Sequence, residues 1–233
     1  MLTKRSLAFA LSAIALSACT KEATKAPAAD TSVAEMKGSC ADVFKSQVCT
    51  RAKTQGGKLV EIGVTVPLAV VDSAPAKEPM VWPPFALATL GIPGTANTAI
   101  TNFTMFWDAD GHPPKPYLTP HFDFHFNTAT AADLAAIDCA DLSKPTTPPT
   151  GYVLPDIPLP PDMAKMTGTK ALIGLCVPKM GMHAMLASDM ESKDAFRGSM
   201  VVGYYKAKPI FIEPMLTMPI VRITRLNLPG IFL

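Results

Sequence analysis

The chain has 233 residues, of which 48% are hydrophobic and 17% charged, and its formal net charge is +2. A nearly neutral chain without clusters of lysine and arginine argues against nucleic-acid binding. About 195 residues remain after the two N-terminal segments described below, which is enough for one domain with a substantial core.

Residues 1–19 have the pattern of a bacterial lipoprotein signal peptide. Lys4 and Arg5 precede an apolar run that ends at Cys19. In such signals the cysteine receives lipid and the residues before it are removed. The apolar run has about 13 residues, fewer than the roughly 20 that a membrane-spanning helix requires. We therefore expect lipidation of Cys19, with Thr20 favouring the periplasmic face of the outer membrane. The alternative is an ordinary secretory peptide with a chance cysteine.

Four further cysteines, Cys40, Cys49, Cys139 and Cys176, remain once Cys19 is lipidated. An even number in an oxidising compartment favours two disulfides. Among the possible pairings we expect Cys40–Cys49, which closes a local loop, and Cys139–Cys176, which bridges a proline-rich segment. Thiolate metal ligands are the alternative, but no Cys-x-x-Cys spacing supports them.

Residues 20–38 are rich in alanine, lysine, threonine and serine and contain little that could pack, which predicts a flexible tether. Residues 39–233 are expected to form the single domain. A short helix is predicted around residues 41–52. From Lys58 the β-branched, partly alternating sequence predicts the first strand.

Further strands are expected along the rest of the chain, with a short helix from Thr130 and an irregular loop at 143–162. They are predicted at 80–90, 98–107, 121–127, 171–177, 197–205, 210–212 and 220–226. Because β-α-β alternation is absent, a parallel sheet is disfavoured. The predicted class is mainly β, a β-rich α+β fold with a single antiparallel sheet or barrel-like domain and one or two short helices.

The stretch Thr119–Asn127 concentrates the chain's potential chemistry. On a strand, alternate residues point to opposite faces. One face would carry three phenylalanines and anchor the strand in a core. The other would carry His121, Asp123 and His125, three potential metal ligands or acid/base groups in one row.

The spacing within this row limits what it can bind. His121 and His125 would lie about 13 Å apart on a regular strand and cannot easily share one ion. Either a bulge bends the strand, or Asp123 pairs with only one histidine. In the second case the other histidine orients a ligand or acts as an acid or base. The alternative without metal is a hydrogen-bond network in which Asp123 satisfies two partly buried histidines.

Two later residues extend the candidate set. His183 follows a glycine turn, in a position expected to be a loop, and Glu213 lies in an apolar run. A carboxylate there is costly to bury unless it is paired or metal-bound. With His121, Asp123 and His125 they make a nitrogen and oxygen ligand set suited to zinc, with copper, manganese or iron as alternatives. Asp123 and Glu213 are also the candidate catalytic bases.

The methionines open one further interpretation. Met180 and Met182 lie close to His183 in the sequence, among 13 methionines in all. Methionine with histidine in an extracytoplasmic protein indicates copper, although methionine more often fills cores. Common nucleophile and nucleotide-binding motifs are absent. The remaining histidine, His112, lies in an Asp-Gly-His-Pro-Pro turn.

Four segments together resemble a family of secreted bacterial proteins classed as a domain of unknown function. They are Gly111-His-Pro-Pro114, Pro120-His-Phe-Asp-Phe-His-Phe126, Met180-Gly-Met-His183 and Phe211-Ile-Glu-Pro-Met215. The resemblance covers roughly residues 58–225 and implies a β-rich domain, an envelope location and the same five site candidates, but no activity. Ala184 stands where an aromatic residue is more usual in the family, and Asn127 where tyrosine is common.

The sequence therefore predicts an envelope lipoprotein that binds a divalent metal, with hydrolysis by a metal-bound water as a candidate reaction. A non-enzymatic module that binds a small molecule or assembles into an oligomer is the second interpretation. A copper-binding or copper-buffering protein is the third. The membrane is the expected partner through the lipid, and an unidentified small molecule the expected substrate or ligand.

Overall fold

A computed structural model describes residues 31–94, 98–192, 194 and 196–223. The predicted signal peptide, the lipidation of Cys19, the tether up to residue 30 and the end of the last predicted strand lie outside these residues. In the part of the chain that is described, no helix has the length and apolar character needed to cross a membrane.

Strands and short helices alternate irregularly along the described chain. The strands are β1 (Val33–Val43), β2 (Ser46–Gln55), β3 (Lys58–Thr65), β4 (Ala88–Gly91), β5 (Asn102–Asp108), β6 (His121–Asn127), β7 (Tyr152–Val153), β8 (Ile157–Pro158), β9 (Ala171–Leu172), β10 (Met182–Leu186), β11 (Gly198–Tyr205) and β12 (Lys208–Thr217). The α-helices are α1 (Leu68–Asp72), α2 (Ala131–Ala135), α3 (Pro161–Thr167), α4 (Ala187–Glu191) and α5 (Met218–Ile223). Single 3-10 turns lie at Lys115–Tyr117 and Ile173–Leu175.

This arrangement confirms the mainly β, antiparallel class. The strands form a three-stranded sheet, a seven-stranded sheet and a two-stranded sheet, and the paired strands run antiparallel. Within the described residues the sheets stay open, so the barrel-like alternative was wrong. The described residues contain five α-helices where one or two were expected, each of at most seven residues.

The N-terminal sheet, in the order β1-β2-β3, corrects two predictions. The helix expected at 41–52 is a hairpin, because Cys40 and Cys49 face each other across β1 and β2 and form a disulfide. The boundary of the tether at residue 38 was placed too late, since Val33 already pairs with Gln55. Ladder hydrogen bonds hold this polar segment of β1 where apolar packing is sparse.

The seven-stranded sheet places the His-Asp-His strand near its centre, in the order β4-β5-β6-β12-β11-β10-β7. The neighbouring strand β12 ends at Thr217, and helix α5 follows it. The strand predicted at 220–226 was therefore wrong over the described part of that segment. Pro219 lies in the first turn of α5, where its missing N–H costs no intrahelical bond.

The predicted strand at 171–177 is reduced to β9 followed by a 3-10 turn. The helix predicted from Thr130 is present as α2, and Thr130 and Asp133 form its capping box.

The two faces of the large sheet differ in chemistry. Phe122, Phe124 and Phe126 of β6 pack with Phe103 in the main core, against apolar residues of the N-terminal sheet. Burying a phenylalanine side chain contributes about 1.5–3 kcal/mol, so this face anchors β6 as predicted. The opposite face of β6 carries polar residues, and the whole strand is nevertheless buried.

Gly203 of β11 provides space beside that polar face. A Cβ atom at Gly203 would overlap the ring of Phe211 on the neighbouring strand. Gly203→Ala should therefore lower the free energy of unfolding by about 1–3 kcal/mol, the usual cost of overpacking. Chemical denaturation followed by circular dichroism measures this difference.

Gly91→Ala is the matched control on strand β4. The nearest atom to a Cβ there is Ser39 Oγ at 3.4 Å, an ordinary contact. Equal stability of the two variants would show that Phe211 can move away without loss, and that the space at Gly203 is not required.

Candidate metal centres

The polar face of the large sheet is built by strand register. Asp108 on β5 lies opposite His121 on β6, and Thr104 lies opposite His125. On the other side of β6, strand β12 pairs with it in a register that places Glu213 opposite His125. On β10, His183 pairs with Gly203, whose missing side chain leaves room between strands. Neighbouring strands therefore contribute side chains to one buried row.

The potential ligands in this row form two separate groups. The first, which we call the Asp123 cluster, contains Asp108, His112, His121 and Asp123. The second, the Glu213 triad, contains His125, His183 and Glu213. Within each group one ligand atom from every residue lies within 4.8 Å of the others.

This division corrects the single five-residue ligand set expected from the sequence. His121 and Asp123 belong to one group, and His125 belongs to the other with His183 and Glu213. The strand spacing already indicated that the two histidines of β6 would not share an ion. His183 is also not in a loop, since it is the second residue of β10.

The Glu213 triad is compact and buried. His125 Nε2 lies 3.2 Å from Glu213 Oε1, and His183 Nε2 lies 3.9 Å from Glu213 Oε2. The exposed fraction is 3% for His125, 6% for His183 and 1% for Glu213. The Phe211 ring stacks on His125 at 4.4 Å and meets His183 edge-on at 5.2 Å. Aromatic packing thus fixes the orientation of both imidazoles.

The backbone sets which nitrogen of His183 faces the triad. Its Nδ1 lies 2.9 Å from the carbonyl oxygen of Leu175, which can only accept, so Nδ1 carries the proton. Nε2 then presents a lone pair toward Glu213, the arrangement of metal-binding histidines. Burial lowers the pKa of His183, although the charge of Glu213 opposes this shift. The ring is therefore neutral and able to act as a ligand.

The second disulfide supports the same carbonyl. Leu175 ends a 3-10 turn in which Gly174 has φ 57° and Leu175 has φ 49°. The next residue, Cys176, is bonded to Cys139, so the structure contains both disulfides expected from the sequence. By closing a loop with a sequence separation of 37 residues, Cys139–Cys176 anchors the turn that orients His183.

One oxygen of the Glu213 carboxylate has no hydrogen-bond partner. Its Oε2 atom is buried and accepts no hydrogen bond within the described structure. An unpartnered buried carboxylate oxygen costs several kcal/mol, so such atoms are normally paired or bound to a cation. The two neighbouring imidazole nitrogens make a cation the natural partner.

The Asp123 cluster has a similar construction nearer the surface. His121 Nε2 lies 3.2 Å from Asp123 Oδ1, and His112 Nε2 lies 3.5 Å from Asp123 Oδ2. Both histidines turn Nδ1 toward a main-chain carbonyl, His121 to Thr119 at 2.6 Å and His112 to Pro113 at 2.8 Å. Both therefore offer Nε2 to the cluster.

Charges in the Asp123 cluster perturb one another strongly. Burial and the negative charge of Asp123 raise the pKa of Asp108 to about 7. Burial alone would lower the pKa of His112, but hydrogen bonding and charge attraction to Asp123 raise it to about 10. Burial would raise the pKa of Asp123, yet the charge of His121 holds it well below its usual range. Protons and a divalent cation would therefore compete for these atoms.

Asp108 and His112 were absent from the predicted ligand set. Asp108 is the last residue of β5, and His112 lies in the turn that follows it, which folds back over β6. Gly111 makes the bend possible: its φ is 68°, and a Cβ there would overlap the Tyr117 carbonyl. The signal in the sequence was the Asp-Gly-His-Pro-Pro turn, which lies between the strands predicted at 98–107 and 121–127.

The copper interpretation requires Met180 and Met182 to approach His183. Met182 and Ala184 pack with Cys176 and Tyr204, on the face of β10 opposite His183. Met180 packs with Phe106 and Val177 in a separate apolar group. Met182 is therefore a core residue, whereas Met180 packs on the Phe106 ring, which lies 5.0 Å from the His125 ring.

Comparisons with known proteins add no family to this geometry. No protein-family model matches the chain, no curated protein matches it, and no solved structure matches it. The resemblance to a secreted bacterial family therefore stays a prediction, and the function rests on the side chains just described.

Asn127 ends the polar row but has a structural role. Its Nδ2 atom donates to Asn102 Oδ1 at 2.9 Å and to Thr104 Oγ1 at 3.0 Å. Asn127→Ala would leave the buried Asn102 oxygen without this donor, so the free energy of unfolding should fall by about 1–3 kcal/mol. Denaturation in urea checks this value, with exposed Thr128→Ala as the control. Unchanged stability of Asn127→Ala would contradict the role assigned to this network.

Proposed function

We propose that this protein is an envelope lipoprotein that binds a divalent metal ion, zinc, at the Glu213 triad. The observation that carries the proposal is the buried Oε2 atom of Glu213, which has no hydrogen-bond partner beside two imidazole nitrogens. A bound cation would satisfy this oxygen and remove the cost of burying the carboxylate.

The ligand chemistry favours zinc. Two imidazole nitrogens and one carboxylate oxygen are typical zinc ligands, and three protein ligands leave the fourth tetrahedral position open. Copper, manganese and iron accept the same atoms, so geometry and supply would decide among them. The orientation of His183 by Leu175 is of the kind that raises metal affinity.

Metal-dependent hydrolysis is the second candidate function. The open position on a three-ligand zinc would hold a water, which the ion would activate as a nucleophile. In this case Glu213 serves as a ligand, and Asp123, the other base expected from the sequence, belongs to the neighbouring cluster and not to the triad. The deep burial of the triad favours a retained ion over substrate turnover.

Location in the cell envelope is part of the proposal. The two disulfides suit an oxidising, extracytoplasmic compartment, and the lipid on Cys19 would tether the domain to the membrane. The sequence resemblance to secreted proteins supports the same location. A non-enzymatic module that binds a small molecule or another copy of the chain is the alternative if no metal binds.

Elemental analysis of the mature protein, purified without a histidine tag, tests the proposal. We expect zinc in the purified protein, and the loss of one equivalent per chain in both His183→Ala and Glu213→Gln. These substitutions remove a ligand nitrogen or a ligand charge from the triad. Exposed Glu35→Gln and the structural variant Asn127→Ala should keep the full metal content.

The folding of each variant must be checked by circular dichroism before its metal content is compared. Equal metal content in wild type, His183→Ala and Glu213→Gln would contradict binding at the triad. Protein that stays metal-free after incubation with zinc, copper and manganese would also contradict it, and would favour the non-enzymatic alternative.

A further inference from the structure

The Asp123 cluster contains two further buried polar atoms without a hydrogen-bond partner. His121 Nε2 and Asp123 Oδ1 are buried and make no hydrogen bond, although only 3.2 Å separates them. His121 is 0% exposed and Asp123 is 5% exposed, so both atoms lie away from the protein surface. A cation between them would give both atoms a partner.

The orientation of the His121 ring indicates the chemistry of a partner. Its Nδ1 lies 2.6 Å from the Thr119 carbonyl oxygen, which only accepts, so Nδ1 carries a proton and Nε2 is the nitrogen that faces Asp123. A metal ion bound between Nε2 and Asp123 Oδ1 would take the place of a proton there and would satisfy both atoms.

From this geometry we propose a second zinc site, formed by Asp108, His112, His121 and Asp123. These residues supply two imidazole nitrogens and two carboxylate oxygens, all within 4.8 Å of one another. Four protein ligands close a tetrahedral zinc site, in contrast to the three of the Glu213 triad. The two carboxylates balance the charge of the ion.

The loop that carries His112 is fixed in place over β6. Tyr117, fully buried in this loop, donates a hydrogen bond from its hydroxyl to Asp189 Oδ2 at 2.8 Å. The Phe196 ring packs against both Tyr117, at 4.8 Å, and His121, at 5.2 Å. The ligands are thus held together by packing, so that little ordering is required when an ion binds.

The two sites are independent and differ in access to solvent. They have no ligand in common, and Asp123 and His125 are alternate residues of β6, about 7 Å apart at Cα. The His112 side chain is 29% exposed, whereas the side chains of the triad are at most 8% exposed. An ion in the Asp123 cluster should exchange with chelator faster than an ion in the triad.

Metal content of matched variants tests the second site separately from the first. We expect two zinc ions per chain in the mature protein, and one in each of Asp108→Asn and His112→Ala. Asp108→Asn keeps the side chain's shape and removes its charge, and Asp110→Asn, an exposed neighbour in the same turn, is its control with two ions expected. Glu213→Gln should also hold one ion, and Asp108→Asn/Glu213→Gln none.

Release of zinc to EDTA identifies which ion is lost. The wild type should show a fast and a slow phase, with the fast phase absent from Asp108→Asn and His112→Ala and the slow phase absent from Glu213→Gln. One ion that only Glu213→Gln removes would overturn the second site and leave the proposed function intact. One ion that only Asp108→Asn and His112→Ala remove would overturn the triad instead, and protein without metal would overturn both.

Discussion

A carboxylate buried inside a β-sheet needs a compensating charge, and the structure around Glu213 is arranged about that need. The free-energy penalty for an ion in a protein interior is several kcal/mol even after the protein relaxes. Glu213 is 1% exposed, and its two nearest polar neighbours are imidazole rings, His125 and His183. The Leu175 carbonyl and the Phe211 ring set the direction of those rings. A metal ion at this point would account for all of these contacts together.

Strand β6 links this site to the stability of the fold. The same alternation that sends its phenylalanines into the main core sends its histidines and Asp123 to the opposite face. A slip of one residue in register would exchange the two faces, placing charged groups in the core. The cost of that exchange fixes the register, and the register in turn fixes the positions of both groups of ligands.

Part of this structure could be predicted from local sequence patterns. The rest depends on the pairing of segments that are distant in the sequence. The two faces of β6, the capping box at Thr130 and the disulfide pairs follow from residue type and spacing. The hairpin at Cys40–Cys49 was mistaken for a helix because the pairing of β1 with β2 is not visible in either segment alone. The same holds for Asp108, which meets His121 through the pairing of β5 with β6, and for His112, whose turn folds back over the sheet.

X-ray diffraction from crystals of the zinc-loaded protein, measured at the zinc absorption edge, tests the central claim most directly. We predict an anomalous difference peak between His125 Nε2, His183 Nε2 and the Glu213 carboxylate, at about 2.0–2.2 Å from the ligand atoms. A zinc-loaded crystal with no peak at this position, and with Glu213 Oε2 bonded to an ordered water, would contradict the account.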